Sequence, residues 1–296
     1  MPAMSSPPER HAAHAQPAPP ADAPPITHYE NFPVASLLCP PHLRAPITAI
    51  YHFARTADDI ADEGDATADQ RLAELALFRS GLEGAPEALA RWPQVFGPLS
   101  AQREAHALPV HLLHALLDAF VQDTEKTRGG TGYRTHAELL DYCSRSADPV
   151  GRLLLHLYGV HDAESLAMSD AICSALQLIN FWQDLSVDIP RGRFYLPQED
   201  CERFGVSQAD ILVRKQTENA TKLIAACAQR ASASMQKGAP LVHRLPGRAG
   251  WELRLVVQGG LRILDKIAAM NYRTLERRPK LYAWDYGVML WRALWM

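Results

Sequence analysis

No run of about 18 apolar residues occurs anywhere in this 296-residue chain, so no segment reads as a membrane-spanning helix. No block of like charge occurs either. The 30 basic and 33 acidic side chains are interspersed and leave a formal net charge of −3, without the concentrated basic face that meets phosphates along a polynucleotide, so nucleic acid is not an expected partner. The five cysteines (Cys39, Cys143, Cys173, Cys201 and Cys227) are odd in number and scattered. With no Cys-x-x-Cys pair and no His/Cys cluster at zinc spacing, they predict a reducing compartment and no structural metal. Alternating Val/Ile/Thr patterns are nearly missing, which removes a β-rich fold. The opening residues lack the basic start and continuous apolar stretch of a secretory leader, and the expected location is cytoplasmic. They hold instead eight of the chain's 22 prolines within residues 1–25, among Ala, Ser and His. Such a segment buries too little apolar surface to offset its ordering entropy and is predicted to be a disordered tail.

What is present, from about Ile26 onward, is helical periodicity. Apolar residues make up 47% of the chain and recur at three- and four-residue spacings, which predicts an all-α fold. Breaks are predicted at Pro40-Pro41, Gly81 to Pro86, Pro93 and Gly97-Pro98, Gly129 to Gly132, Pro190 to Pro197, and Gly238 to Gly247. No repeat of solenoid period and no linker-like stretch interrupts residues 26–296, so they are expected to form a single helical bundle around a central cavity.

Two acidic stripes carry the chemistry. In the breaker-free segment Tyr51 to Glu63, Tyr51, Arg55, Asp58, Asp59 and Asp62 fall within one arc of roughly 100° at ~100° per residue. Asp58 and Asp62 therefore project side by side, where like charges at i,i+4 cost an isolated helix ~0.2–0.5 kcal/mol unless a cation compensates them. A solvated acidic face explains this segment equally well. The second segment shifts the balance: Gln177, Asn180, Asp184 and Asp188 share an arc of about 80° on a helix that is otherwise apolar all round. A helix of that kind is buried, so its polar stripe must face an internal cavity, where carboxylates carry a large desolvation cost unless paired with cations or hydrogen-bond donors, and a buried structural network with Arg or Lys partners is the competing explanation.

The two Asp-x-x-x-Asp pairs supply only oxygen donors, which suit a hard cation such as Mg²⁺ completed by substrate phosphates. The reaction that follows is departure of diphosphate from an activated carbon, leaving a carbocation in an apolar pocket. A di-iron carboxylate site requires Glu-x-x-His pairs, and neither stripe has one. Directly after the second stripe, Pro190 stops the helix and Arg191-Gly192-Arg193-Phe194-Tyr195-Leu196-Pro197 follows. Arg193 and Tyr195 are expected to reach phosphate oxygens, with simple screening of Asp184 and Asp188 as the competing role for Arg191 and Arg193. Phe32, Tyr51, Tyr142 and Phe181 stand near these motifs as candidate aromatic walls for a cation.

Asp58-Asp59-Ile60-Ala61-Asp62-Glu63, the run Gln177 to Asp184 with Asp188, and Arg191-Gly192-Arg193-Phe194-Tyr195-Leu196-Pro197 resemble, in order, the motifs of the squalene/phytoene synthase family. His28 to Ala35, Arg55 to Asp59 and Asn180 to Asp184 resemble most its hopanoid-pathway branch, and the likeness spans about residues 26–290. It implies the isoprenoid-synthase fold and a Mg²⁺-dependent conversion of presqualene diphosphate to hydroxysqualene. In that reaction the diphosphate ionises, the cation rearranges and water captures it, with no need for NADPH. The resemblance puts Asp58, Asp62, Asp184 and Asp188 at metal-binding positions with Asn180 beside them, and Arg55, Gln177 and Arg193 at diphosphate or substrate contacts. Tyr142-Cys143 matches a family Tyr-Cys motif, whereas Ser144 and Asp148-Pro149-Val150-Gly151 depart from the aromatic and the Gly-Thr-Val-Gly run of many relatives.

Squalene synthase, which would reduce the final cation with NADPH, and presqualene diphosphate synthase, which would start from farnesyl diphosphate, remain alternatives. So does a non-catalytic prenyl-lipid binding subunit, although such a protein should have lost an acidic pair and this one has both. Other squalene-pathway enzymes are the protein partners the resemblance implies. Finally, Tyr282, Trp284, Tyr286, Trp291 and Trp295 crowd the C-terminal stretch. They predict either peripheral contact with a bilayer or a final helix docked on the bundle.

Overall fold

The computed structural model describes residues 39–296; the expected tail at 1–25 and the candidate aromatic Phe32 lie outside the described residues. Five helices open the bundle: α1 (Pro41–Asp62), α2 (Ala68–Ser80), α3 (Pro86–Arg91), α4 (Pro93–His106) and α5 (Val110–Gly129). Then come α6 (His136–Ser146), α7 (Asp148–Leu157), α8 (Ala163–Asp188), α9 (Gln198–Phe204) and α10 (Gln208–Leu212). The chain finishes with α11 (Glu218–Gly238), α12 (Gly247–Ala269) and α13 (Ala283–Leu294), and no strand occurs among the described residues. The all-α expectation is met.

Local chemistry accounts for the helix ends. Pro41 at the first position of α1 brings a helix-ready φ and no amide that would go unpaired. Thr67 and Gln70 close a capping box at the start of α2, and the Asp162 side chain accepts from the Ser165 N–H at 2.9 Å to cap α8. Gly130, in the left-handed region at φ 58°, ends α5. The expected break at Gly97-Pro98 does not form. α4 runs straight through it, because Gln94, whose carbonyl loses its partner at Pro98, and Pro98 itself are exposed and water can supply the missing bond.

Two apolar cores result. The first gathers α1 to α5 around Phe53, Phe78, Trp92 and Phe96, with Phe53 and Phe78 stacked at 5.2 Å. The second surrounds α8 with side chains from α6, α11 and α12. Gly238 at the end of α11 lets the chain approach α8 closely, since a Cβ there would lie 2.5 Å from the Met168 carbonyl oxygen. On α8, Ile172, Ala175, Leu178, Ile179, Phe181, Trp182 and Leu185 are all buried. Seven such side chains contribute roughly 10–20 kcal/mol of gross burial energy, far above the few tenths that side-by-side carboxylates cost a helix. Packing decides this helix, and the acidic stripe rides on it.

Candidate active site

On α1, the buried face of Leu43, Ile47, Ile50, Phe53, Ala57 and Ala61 fixes the helix and turns the neighbouring arc toward a cleft of about 680 Å³. Asp58, Asp62, Arg55 and Glu63 line that cleft together with Arg71, Arg128, Arg191 and Arg193, so five arginines face it. Arg55 pairs with Asp58 at 3.0 Å and with Asp59 and Glu63 at 2.6 Å each. Arg71 donates to the carbonyls of Ile60 and Gly64 and so ties off the end of α1.

The second stripe is the more accessible side of its helix, and none of its four residues lines the cleft beside α1. Gln177, Asn180, Asp184 and Asp188 are all half-buried while their neighbours around the helix are mostly buried. Beyond α8, a short 3₁₀ turn at Ile189–Arg191 and Gly192, at φ 77°, reverse the chain into the 193–197 strap. The strap is held by the turn after α5. A Cβ at Gly132 would meet the Phe194 carbonyl oxygen at 2.8 Å, and the N–H groups of Gln198 and Glu199 donate to the carbonyls of Tyr133 and Arg134.

This anchoring delivers Arg193 across the site to α1, where it pairs with Asp62 at 2.5 Å. The expected competing role, screening its own helix, is therefore only part of what it does: its charge also reaches Asp188, but its contact is with the other stripe. Asp184 pairs instead with Arg278, at 2.5 Å, from the segment after α12. Sequence reasoning missed Arg278, and no local pattern marks a partner 94 residues away.

The charges respond to this crowding. Burial, followed by repulsion from Asp62, pushes Asp58 up to about 6, with Arg55 opposing the rise. Burial and then Asp184 push Asp188 up to about 6 in the same way, opposed by Arg193. Burial also works against the charge on Arg193, but Asp62, Tyr195 and Asp188 together outweigh it and the guanidinium ends above its usual pKa.

Beneath lies an aromatic group. Tyr195 stacks on Phe181 at 3.7 Å and 9°, with Tyr142 6.1 Å from Phe181 and Tyr133 6.0 Å from Tyr195. Tyr195, expected at the phosphates beside Arg193, is buried in this stack and lines a second cavity of about 650 Å³ that shares no lining residue with the cleft. Tyr142 donates its hydroxyl to Asp123 on α5 at 2.5 Å. Asp123, also missed from the sequence, is pushed up to about 7, chiefly by burial and against the Tyr142 hydrogen bond, and it senses Asp62, Arg193 and Asp58. The signal was available: Asp123 follows Leu112, Leu116 and Ala119 at helical spacing, a carboxylate on an apolar stripe. Tyr51 sits on α1 edge-on to His52, within electrostatic reach of Arg55, and is not part of the Tyr142 group. At the departure noted in the sequence, Asp148 is buried and accepts from the Ser174 hydroxyl of α8 at 2.8 Å.

Among the described residues, no three His, Cys, Asp or Glu side chains stand together as a ready metal cage. The donor chemistry nonetheless fits a hard cation. The two i,i+4 carboxylate pairs repel internally, three of the four aspartates recruit arginine as counter-charge, and the cleft beside Asp58 and Asp62 has room for ions and phosphates.

An all-helical bundle with these features is the architecture of the isoprenoid synthases, and the class of the protein is set by it. The chain belongs to the squalene/phytoene synthase family, whose model matches residues 27–285. It is 33% identical to the hydroxysqualene synthase of Sinorhizobium fredii over 242 residues, which is 81% of this chain and 79% of that one. To the hydroxysqualene synthase of Rhodopseudomonas palustris it is 34% identical over 229 residues, 77% of this chain and 75% of its relative. Among solved structures, squalene synthase HpnC from Alicyclobacillus acidocaldarius matches with a TM-score of 0.73 at 36% identity, over 83% of this chain and 90% of that one. The protein is an enzyme of this family.

Proposed function

We propose that this enzyme converts presqualene diphosphate to hydroxysqualene. The observation that carries the reading is the arginine-lined cleft, with Asp58 and Asp62 on its wall and Arg193 spanning from them toward Asp188, set above the Tyr142, Phe181 and Tyr195 rings. Arg55, Arg193 and their neighbours would hold the diphosphate oxygens by charge-assisted hydrogen bonds. Asp58, Asp62, Asp184 and Asp188, with Asn180, would hold Mg²⁺, which supplies neutralisation of the diphosphate as the carbon–oxygen bond breaks. The bonding pair leaves with the diphosphate, and the cyclopropylcarbinyl cation stays in the apolar interior. Each desolvated aromatic face contributes ~0.5–2 kcal/mol toward such a cation. After rearrangement, a water lone pair forms the new carbon–oxygen bond and its proton passes to solvent or diphosphate. Two relatives named hydroxysqualene synthase, at 33% and 34% identity, support the water-capture outcome.

The name of the solved relative from Alicyclobacillus acidocaldarius favours a second reading, squalene synthase. Purified protein given presqualene diphosphate and Mg²⁺ separates the two. The expected product is hydroxysqualene plus diphosphate whether or not NADPH is present. Squalene formed only with NADPH would overturn that expectation, and turnover of farnesyl diphosphate would point to an earlier step. No helix among the described residues is long and apolar enough to cross a membrane. The reading places the enzyme in the cytoplasm, with other squalene-pathway enzymes as neighbours and a peripheral contact with the membrane's inner face.

A further inference from the structure

The last helix is folded inside out. α13 docks on α12 through Asp285, Met289 and Ala293, and the buried Asp285 is its only acidic residue. Its carboxylate accepts from Arg262 Nε at 2.7 Å, from the Tyr282 N–H at 2.7 Å, and pairs with Lys266 Nζ at 2.7 Å. Burial alone would raise the Asp285 pKa, but these donors outweigh it and hold it at about 2.

With its acid turned inward, α13 presents Trp284, Tyr286, Leu290, Trp291, Leu294 and Trp295 to solvent, each more than half exposed. At ~100° per residue these six span roughly half the helix circumference with no charge among them. A solvated helix face carries charges, and a contiguous apolar one marks a contact. The exposed rings are edged by cations: Arg262 lies 4.9 Å and Lys266 4.5 Å from the Trp284 ring, and Arg254 lies 5.1 Å from that of the half-exposed Trp251. Residues 244–296 contain ten basic and four acidic side chains, so this stretch carries +6 in a chain whose total is −3.

We infer that the outward face of α13 docks flat on an anionic phospholipid surface, Trp291 and Trp295 entering the headgroup boundary while the net positive charge of residues 244–296 draws the protein toward the lipid phosphates. Tryptophan is suited to that boundary, with an apolar ring body and a polar N–H, and basic residues near it gain from the negative leaflet. The charge pattern argues against a second copy of this chain as the occupant, because self-docking would oppose two faces of the same positive sign. The inference stands without the reaction proposed above.

Flotation of the full-length protein with phosphatidylglycerol/phosphatidylethanolamine vesicles tests it, with pure phosphatidylcholine vesicles as the neutral arm. The expected result is protein in the lipid fraction with anionic vesicles, reduced by about tenfold in W291E/W295E and by about 0.5 M salt. Trp291 and Trp295 are 63% and 77% exposed, so the double variant should keep the wild-type circular dichroism spectrum. Quenching of wild-type tryptophan fluorescence by brominated lipid gives the same answer with no substitution. Absence of wild-type flotation and quenching, or equal flotation of the double variant, overturns the inference. So does a wild-type dimer in light scattering that W291E/W295E converts to monomer while lipid binding is unaffected, since a second copy would then be the occupant.

Discussion

α8 and α13 are both dominated by apolar side chains, and they are turned opposite ways. α8 buries its apolar residues on most of its circumference and leaves Gln177, Asn180, Asp184 and Asp188 half-buried. α13 buries a carboxylate and leaves its tryptophans outside. The difference lies in where counter-charge is available. Arg262 and Lys266 on α12 wait for Asp285, so the acid is satisfied where water is excluded. For α8 the helices packed around it offer mostly apolar side chains, and its acids find Arg278 and Arg193 only at the open edge. Apolar content alone does not say which face of a helix is inside.

Five substitutions sharpen or break this contrast. The largest effect is expected at Asp184→Asn, which removes a charge from the stripe of α8 while conserving shape. Turnover of a prenyl diphosphate should fall by about 10²–10³-fold with little change in Tm, and a variant of normal activity would detach α8 from the chemistry. Asp285→Ala should do the reverse, leaving Arg262 and Lys266 without their buried partner. Thermal unfolding should show a Tm lower by at least about 5 °C, and the chemistry at the distant cleft should change far less than for Asp184→Asn.

Glycine positions give the third comparison. Gly238→Ala drives a methyl into the Met168 backbone beside α8 and should cost about 2–3 kcal/mol in denaturant unfolding. Gly287 on α13 has nothing within 4 Å of a new Cβ, so Gly287→Ala should gain up to ~1 kcal/mol from helix propensity. Effects of the same sign would refute the inside and outside assignment.

The last comparison concerns pH. Burial, eased by the Ser174 hydrogen bond, raises Asp148 to about 7 beside α8. A carboxyl whose folded pKa is raised favours the fold while protonated. Its contribution is therefore complete below the unfolded value of about 4 and is lost as pH climbs to about 7. Asp148→Asn removes that loss, so its stability relative to the unsubstituted protein should rise by on the order of 2 kcal/mol between pH 5 and pH 8. A difference that stays flat over this range would mean Asp148 is charged throughout.

What the sequence made legible was whatever a helix repeats locally. The arcs of Asp58 with Asp62 and of Gln177 through Asp188 needed only the 3.6-residue period, and both faces are where that period puts them. The partners were not legible. Arg193 reaching Asp62, Arg278 reaching Asp184 and Asp123 holding Tyr142 are contacts across 131, 94 and 19 residues, set by how the helices pack. Tyr195 illustrates the same limit from the other side. Its position next to the arginine strap pointed toward phosphate; its ring stacks on Phe181, and it remains within electrostatic reach of Arg193 and Asp188. The helix through Gly97-Pro98 shows a strong local breaker overruled where water can stand in for the lost bond.

The arginines at the acidic stripes have one more effect. Because Arg55, Arg193 and Arg278 belong to the chain itself, the aspartates keep counter-ions attached by covalent bonds even where divalent ions are scarce. Under the proposed function, an incoming diphosphate would bring its own negative charge and compete for those same guanidinium groups, which would free the carboxylates for a metal ion. Ligand and ion would then enter together, and a site built this way would have little reason to hold either one alone.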